Sequence, residues 1–94
     1  MLTVIMSEKV GAFLIRIPFK HAQQIVRKID LLAQDPNALP TQQLSGYPSL
    51  RRMKSGEYRV IYRIKNDVLE IHVLRIGKRN DEEVYRDMEI LEKL

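Results

Sequence analysis

The apolar residues of this chain recur at helical spacing up to Ala33 and then at every second position between Leu50 and Ile76. A chain whose period switches in this way is confined to a mixed fold, with helices that must cover a sheet. Residues 2–6 are short and β-branched and read as a strand. Ser7 is placed to cap a helix that carries Val10, Phe13, Leu14 and Ile17 on one face. Pro18 interrupts it; lacking an N–H, it suits the first turn of a new helix. That second helix has Ala22, Ile25, Val26, Ile29, Leu32 and Ala33 as its stripe and ends at Asp35-Pro36. Two amphipathic helices in succession predict an αα-hairpin lying on something flat.

Residues 37–49 hold Pro40, Gly46 and Pro48 and read as a loop. Strands are expected at 50–54, 58–65 and 68–76, joined by two-residue turns at Ser55-Gly56 and Asn66-Asp67. A last helix should start at Asn80 or Asp81, with Asp81, Glu82 and Glu83 at its positive end. Val84, Met88 and Leu91 form its apolar stripe, with Tyr85 at the edge. The expectation is an α+β fold of order β-α-α-β-β-β-α: an αα-hairpin and a C-terminal helix packed on a small antiparallel sheet with a mixed edge. At 94 residues there is room for one domain, 1–94, and one core.

Charge is distributed unevenly. Between Arg51 and Arg79 there are nine basic and three acidic residues, a net +6, while the remainder has seven basic and nine acidic, a net −2. Concentrated cationic charge repels itself and is best matched by a polyanion, which with a pI near 9.6 favours a nucleic-acid or ribosomal partner. The chain has no cysteine, which excludes disulfides, thiolate nucleophiles and thiolate metal sites and fits a reducing cytoplasm. The apolar run 1–6 is too short for a signal peptide or a membrane span, so no membrane role is expected.

Strand parity sorts the cations. With two-residue turns, Met53, Tyr58, Val60, Tyr62 and Ile64 share an apolar face with Leu69, Ile71 and Val73. The other face then sets Arg52 opposite Arg59, with Lys54 one step along, and pairs Arg63 with Glu70. Directly opposed like charges cost up to roughly 1 kcal/mol in a sheet. Such a face is shaped either for an anion or as solvated, edge-protecting charge.

Other chemistries are poorly represented. His21 and His72 are far apart and have no partner at ligand spacing, so neither a metal nor another cofactor is expected. There is no phosphate loop, dinucleotide fingerprint or nucleophile elbow. What remains suits phosphate chemistry. Arginine forks match phosphate oxygens in a bidentate way, and cations crowded round a lysine favour its neutral form, which makes Lys54 a candidate base. Tyr85 suits stacking on a base, orienting a phosphate, or packing at a helix edge.

Leu44-Ser45-Gly46, the run from Arg51 through Lys54, Gly56, Tyr58 and Arg59 to Tyr62, then Gly77-Lys78-Arg79 and Glu83-Val84-Tyr85 resemble the RelE/ParE superfamily of bacterial type II toxins. The Gly-Lys-Arg and Glu-Val-Tyr ending resembles the RelE side. The resemblance implies a RelE-like microbial-RNase fold and a ribosome-dependent, metal-independent endoribonuclease that cuts mRNA in the A site by 2′-hydroxyl attack. It implies Arg59 and Arg79 as phosphate-stabilising residues, Tyr85 as the substrate-positioning tyrosine, and Arg52 and Lys54 as the basic pair on the preceding strand. Arg51, Arg63 and Lys78 are expected to contact RNA. The resemblance departs where the family places two lysines, since this strand offers Arg51, Arg52 and Lys54, and an arginine is a poor base. A cognate antitoxin, forming a hetero-oligomer with the toxin, and the ribosome with its mRNA are the implied partners. A gyrase poison of the ParE type is the alternative.

Overall fold

The computed structural model describes residues 1–93; Leu94, the last residue of the expected domain, lies outside the described residues. β1 (Thr3–Met6) leads into α1 (Glu8–Arg16) and α2 (Phe19–Gln34). Four strands in sequence order follow: β2 (Thr41–Leu44), β3 (Tyr47–Ser55), β4 (Tyr58–Lys65) and β5 (Glu70–Lys78). A 3-10 turn (Glu82–Tyr85) and α3 (Met88–Lys93) complete the chain. The five strands form one sheet of order β1-β5-β4-β3-β2, antiparallel except for the β1–β5 pair. The α+β class and the mixed edge are as expected.

The αα-hairpin forms for the anticipated reasons. Ser7 Oγ accepts the Val10 N–H at 3.2 Å and caps α1. Pro18 sits at the cap of α2, where its carbonyl accepts from His21 and Ala22. The α2 stripe buries Ile25, Ile29, Leu32 and Ala33 against Val60, Tyr62, Ile71 and Val73 of the sheet. Val26, expected in that stripe, is 40% exposed at its margin. The Leu2 N–H bonds Ala33 O at 2.8 Å and ties the entry of β1 to the end of α2. A second cluster, Leu50, Ile61, Val84, Met88 and Leu91, lies on the opposite face under the C-terminal segment. The sheet is therefore covered on both sides, which explains why β4 is buried along most of its length.

Four local expectations are corrected. Residues 37–49 are not all loop, because β2 pairs with β3 there; its Gln42 and Gln43 are exposed edge residues, which leaves no alternation to read. Gly46 (φ +82) makes the turn, and Pro48 falls where the β2–β3 register breaks, so its missing N–H costs no ladder bond. The C-terminal helix is divided, since Asp87 (φ +58) separates the 3-10 turn from α3.

Both later hairpins are displaced by two residues in register. Gly56 (φ +58) and Glu57 form the β3–β4 turn, so Ser55 pairs with Tyr58, Lys54 with Arg59, and Arg52 with Ile61. The β4–β5 turn takes four residues, 66–69, and sets Lys65, not Arg63, opposite Glu70. A slip of two preserves the face of each side chain. That is why the parity assignment of Arg52, Lys54 and Arg59 to one face survives.

Leu69 holds a left-handed backbone (φ +54) while 60% exposed, a conformation that costs a side chain with a Cβ about 1 kcal/mol or more. Leu69→Gly should therefore leave stability unchanged or raise it by up to about 1 kcal/mol, despite the lost apolar surface. Urea unfolding measures this, and a loss above that size would show that the Leu69 side chain contributes packing.

Candidate nucleic-acid interface

The site is built where the ends of β3, β4 and β5 meet. Arg52 and Lys54 on β3 and Arg59 on β4 share the face that carries the C-terminal segment. β5 joins them through a bulge. Tyr62 pairs with Val73 but Ile61 pairs with Arg75, so Leu74 is an extra residue. Beyond it the alternation of β5 is inverted: Ile76 enters the α1/α2 core, while Arg75 and Gly77 turn to the face of Arg59.

Gly77 is a packing glycine. A Cβ there would lie 2.9 Å from Val84 Cβ and 3.1 Å from Val84 Cγ2. Its absence lets the 3-10 turn lie directly on β5, with Val84 buried. Asp81 starts that turn, its Oδ1 accepting the Glu83 N–H at 2.9 Å. The turn brings Tyr85 across the sheet, where Arg52 Nη1 donates to Tyr85 Oη at 3.1 Å and Arg52 Nη2 donates to Gln42 Oε1. Tyr85 is half-buried, and because its oxygen accepts from Arg52, its own proton is left to donate elsewhere.

The remaining cations are held differently. Arg59 Nη1 donates to Gly56 O at 3.0 Å and Tyr58 O at 2.9 Å, leaving its other guanidinium edge unbonded among the described residues. The Arg79 N–H bonds Glu57 O at 2.7 Å, which fastens Arg79 beside the β3–β4 turn and near Arg59. The Arg79 and Lys54 side chains are exposed and have no hydrogen-bond partner among the described residues. Arg75 Nη1 donates to Glu83 O at 2.9 Å and to Arg86 O.

The structure thus brings Arg52, Lys54, Arg59 and Tyr85 onto one face and Arg79 to its end. It does not bring Arg51, Arg63 and Lys78 to them. Arg51 and Lys78 lie opposite Tyr62 and Tyr58 on the other face, and the Arg51 guanidinium donates to Thr41 Oγ1. Arg63 is 8% exposed and donates to Glu92 O at 3.1 Å, beneath the C-terminal segment. The Arg63–Glu70 pair expected from the shorter turn is absent; Glu70 instead meets His72 Nε2 at 2.9 Å. Five residues of strand separate His72 from Gly77, about 17 Å, so His72 is remote from the cationic end. Among the described residues no cluster of His, Asp and Glu could hold a metal ion.

Arg75 and Gly77 were missed in the sequence as members of this face. The signal was there: Val73-Leu74 puts two apolar residues side by side before Arg75, a break in alternation that marks a bulge.

A sheet with this order, an αα-hairpin on one face and a short helix on the other is the fold of RelE toxins. The archaeal RelE–RelB complex from Pyrococcus horikoshii matches with a TM-score of 0.73 and 25% identity, over 84% of this chain and 96% of that one. A mutant E. coli RelE toxin in its free state matches with a TM-score of 0.78 and 20% identity, over 96% of each chain. A chain of the Mycobacterium tuberculosis RelBE2 toxin–antitoxin complex matches with a TM-score of 0.70 and 20% identity, over 83% of this chain and 98% of that one. No curated protein sequence matches. The family model described as ParE toxin of type II toxin–antitoxin system, parDE, matches residues 4–83. The chain belongs to that family, and so to the RelE/ParE superfamily of type II toxins.

The Gly77–Val84 contact carries the site geometry. Gly77→Ala should destabilise the fold by about 1–3 kcal/mol in urea unfolding, because the nearest atom is the Cβ of Val84, which cannot give way without moving the 3-10 turn itself. Unchanged stability would mean that the turn does not pack on β5 as described.

Proposed function

We propose that this toxin is an RNA endonuclease of the RelE type that cuts mRNA bound in the ribosomal A site. The observation that carries the reading is the cationic end of the sheet: Lys54 cross-paired with Arg59, Arg79 fastened beside them, and the Arg52–Tyr85 pair on the same face. Such a face offers charge, forked donors and a hydroxyl, which are the needs of 2′-hydroxyl attack on the adjacent phosphate. In that reaction the 2′-oxygen loses its proton and bonds to phosphorus, the 5′-oxygen leaves and gains a proton, and a cyclic phosphate remains.

Each residue has a part in this scheme. Lys54 takes the 2′-proton when neutral. Arg59 and Arg79 stabilise the charge that grows on the phosphate oxygens, acting as preorganised donors. Tyr85, aligned by Arg52, positions the substrate through its ring or its free proton. The open edge of Arg59 can take up a phosphate without breaking its bonds to the turn. An antitoxin is the natural partner of such a toxin, as RelB is in the solved complexes, and the cytoplasm is where it would meet ribosomes.

A second reading is supported by the ParE description of the matching family: a gyrase poison with no nuclease activity. The two readings differ in what the arginines do.

Primer extension on mRNA in a reconstituted translation reaction separates them. The nuclease reading predicts discrete cuts that need ribosomes. It also predicts that Arg59→Ala and Arg79→Ala each lose about 3–4 kcal/mol of transition-state stabilisation, roughly a hundredfold to a thousandfold in rate, with little change in folding. Full cleavage by either variant would remove that residue from the site. No cleavage by the folded wild type, with inhibition of gyrase supercoiling, would establish the second reading.

A further inference from the structure

Arg75 has no part in the nuclease scheme, yet it is bonded more closely to the segment that carries Tyr85 than any other arginine. The bulge at Leu74 turns it onto the site face, opposite Ile61. Its Nη1 donates to Glu83 O and Arg86 O, the two carbonyls that bracket Val84 and Tyr85. The 3-10 turn closes with the Arg86 N–H on Glu83 O at 3.2 Å, so Arg75 adds a second donor to that closing carbonyl and joins it to the carbonyl of the capping residue, Arg86. The first turn of α3 closes on Asp87 O, which accepts from Ile90 and Leu91, and not on Arg86 O. A guanidinium at such an end makes charge-assisted bonds and offsets the negative end of the turn. From the other side, the only side-chain bond to Tyr85 among the described residues is that from Arg52.

We propose that Arg75 is a positioning residue for Tyr85. It grips the carbonyls on either side of the Val84-Tyr85 step and so keeps the Tyr85 hydroxyl at Arg52, without itself touching RNA. Gly77 permits the turn to approach β5; Arg75 fixes its rotation once there. The catalytic consequence rests on the nuclease reading, whereas the placement of Tyr85 does not. Both bonds come from one nitrogen, so lysine keeps the charge and a donor, but its stem is one bond shorter and it should hold the turn only in part.

The test uses the full chain in single-turnover cleavage of mRNA on saturating programmed ribosomes, beside fluorine NMR of protein labelled with meta-fluorotyrosine. Arg75→Met should lower the cleavage rate constant by roughly tenfold or more while the ribosome concentration at half-saturation moves by less than about twofold. Arg75→Lys should recover part of the loss. In a Tyr85→Ala background, Arg75→Met should change the rate by less than about twofold, since both changes remove the same element. Additive losses would show that Arg75 acts independently of Tyr85 and would overturn the proposal. In the spectrum, with the Tyr85 line assigned by Tyr85→Phe, Arg75→Met should shift or broaden that line and leave the other three tyrosines in place. An unmoved Tyr85 line would overturn the proposal whether or not the protein cuts RNA. A wild type that cuts nothing would sink the nuclease reading alone, and the spectrum would still decide the role of Arg75. If Arg75→Met does not fold, Arg75→Lys carries the same comparisons.

Discussion

One extra residue in β5 determines what the rest of this molecule can present. Leu74 has no partner on β4, and its insertion inverts the alternation of the strand halfway along. Before the bulge, Ile71 and Val73 face the αα-hairpin; after it, Ile76 does. Without the inversion, Arg75 and Gly77 would point into the α1/α2 core, where a guanidinium would be desolvated and unpaired at a cost of several kcal/mol. With it, Gly77 becomes the floor on which Val84 rests, and Arg75 reaches the carbonyls of the same turn. The bulge thus serves both cores: it completes one and makes room for the other.

The second core is closed mainly by the C-terminal segment. Leu50 and Ile61 from the sheet are closed over by Val84, Met88 and Leu91, all from the last twelve described residues, 82–93. That segment is also held by arginines at its carbonyls, Arg75 at the 3-10 turn and Arg63 at Glu92. Charged side chains that bond main-chain oxygens hold a segment whose own helices are too short to be stable alone. This matters for the proposed function because the same segment carries Tyr85. A partner that lifted the segment would uncover Leu50 and Ile61 and move Tyr85 from Arg52 in one step.

Much of this was legible from residue pattern. The αα-hairpin followed from the stripes through Val10 and Ile25, and the sheet from the alternation after Leu50. The assignment of Arg52, Lys54 and Arg59 to one face rested on a two-residue turn placed one position too early, which displaced the register by two, and it held because face depends only on odd or even register. At the next hairpin it was the turn length that was wrong: a four-residue turn gives Glu70 to Lys65, and burial then gives Arg63 to Glu92. β2 was invisible because an edge strand of Thr41, Gln42 and Gln43 gains its stability from backbone pairing and not from apolar alternation. The divided C-terminal helix was hidden for another reason. Arg86 and Asp87 look like any polar helix residues, yet the extended backbone of Arg86 ends the 3-10 turn and the left-handed Asp87 precedes α3, with Val84 and Met88 on either side of the break both buried in the second core.

The chemistry proposed for this cationic face is stabilisation of attack by a ribose 2′-hydroxyl on its own phosphate, and replacing a single ribose tests it. An mRNA with one 2′-deoxynucleotide just 5′ of the cut site, programmed into the ribosomal A site, is compared with its all-ribose twin, and the cut ends of the latter are analysed for a cyclic phosphate. The predicted result is cleavage of the all-ribose message with a 2′,3′-cyclic end and none of the deoxy message at that position. Equal cleavage of both would show that the attacking oxygen comes from elsewhere, and Lys54, Arg59 and Arg79 could then not act as base and phosphate stabilisers of an internal attack.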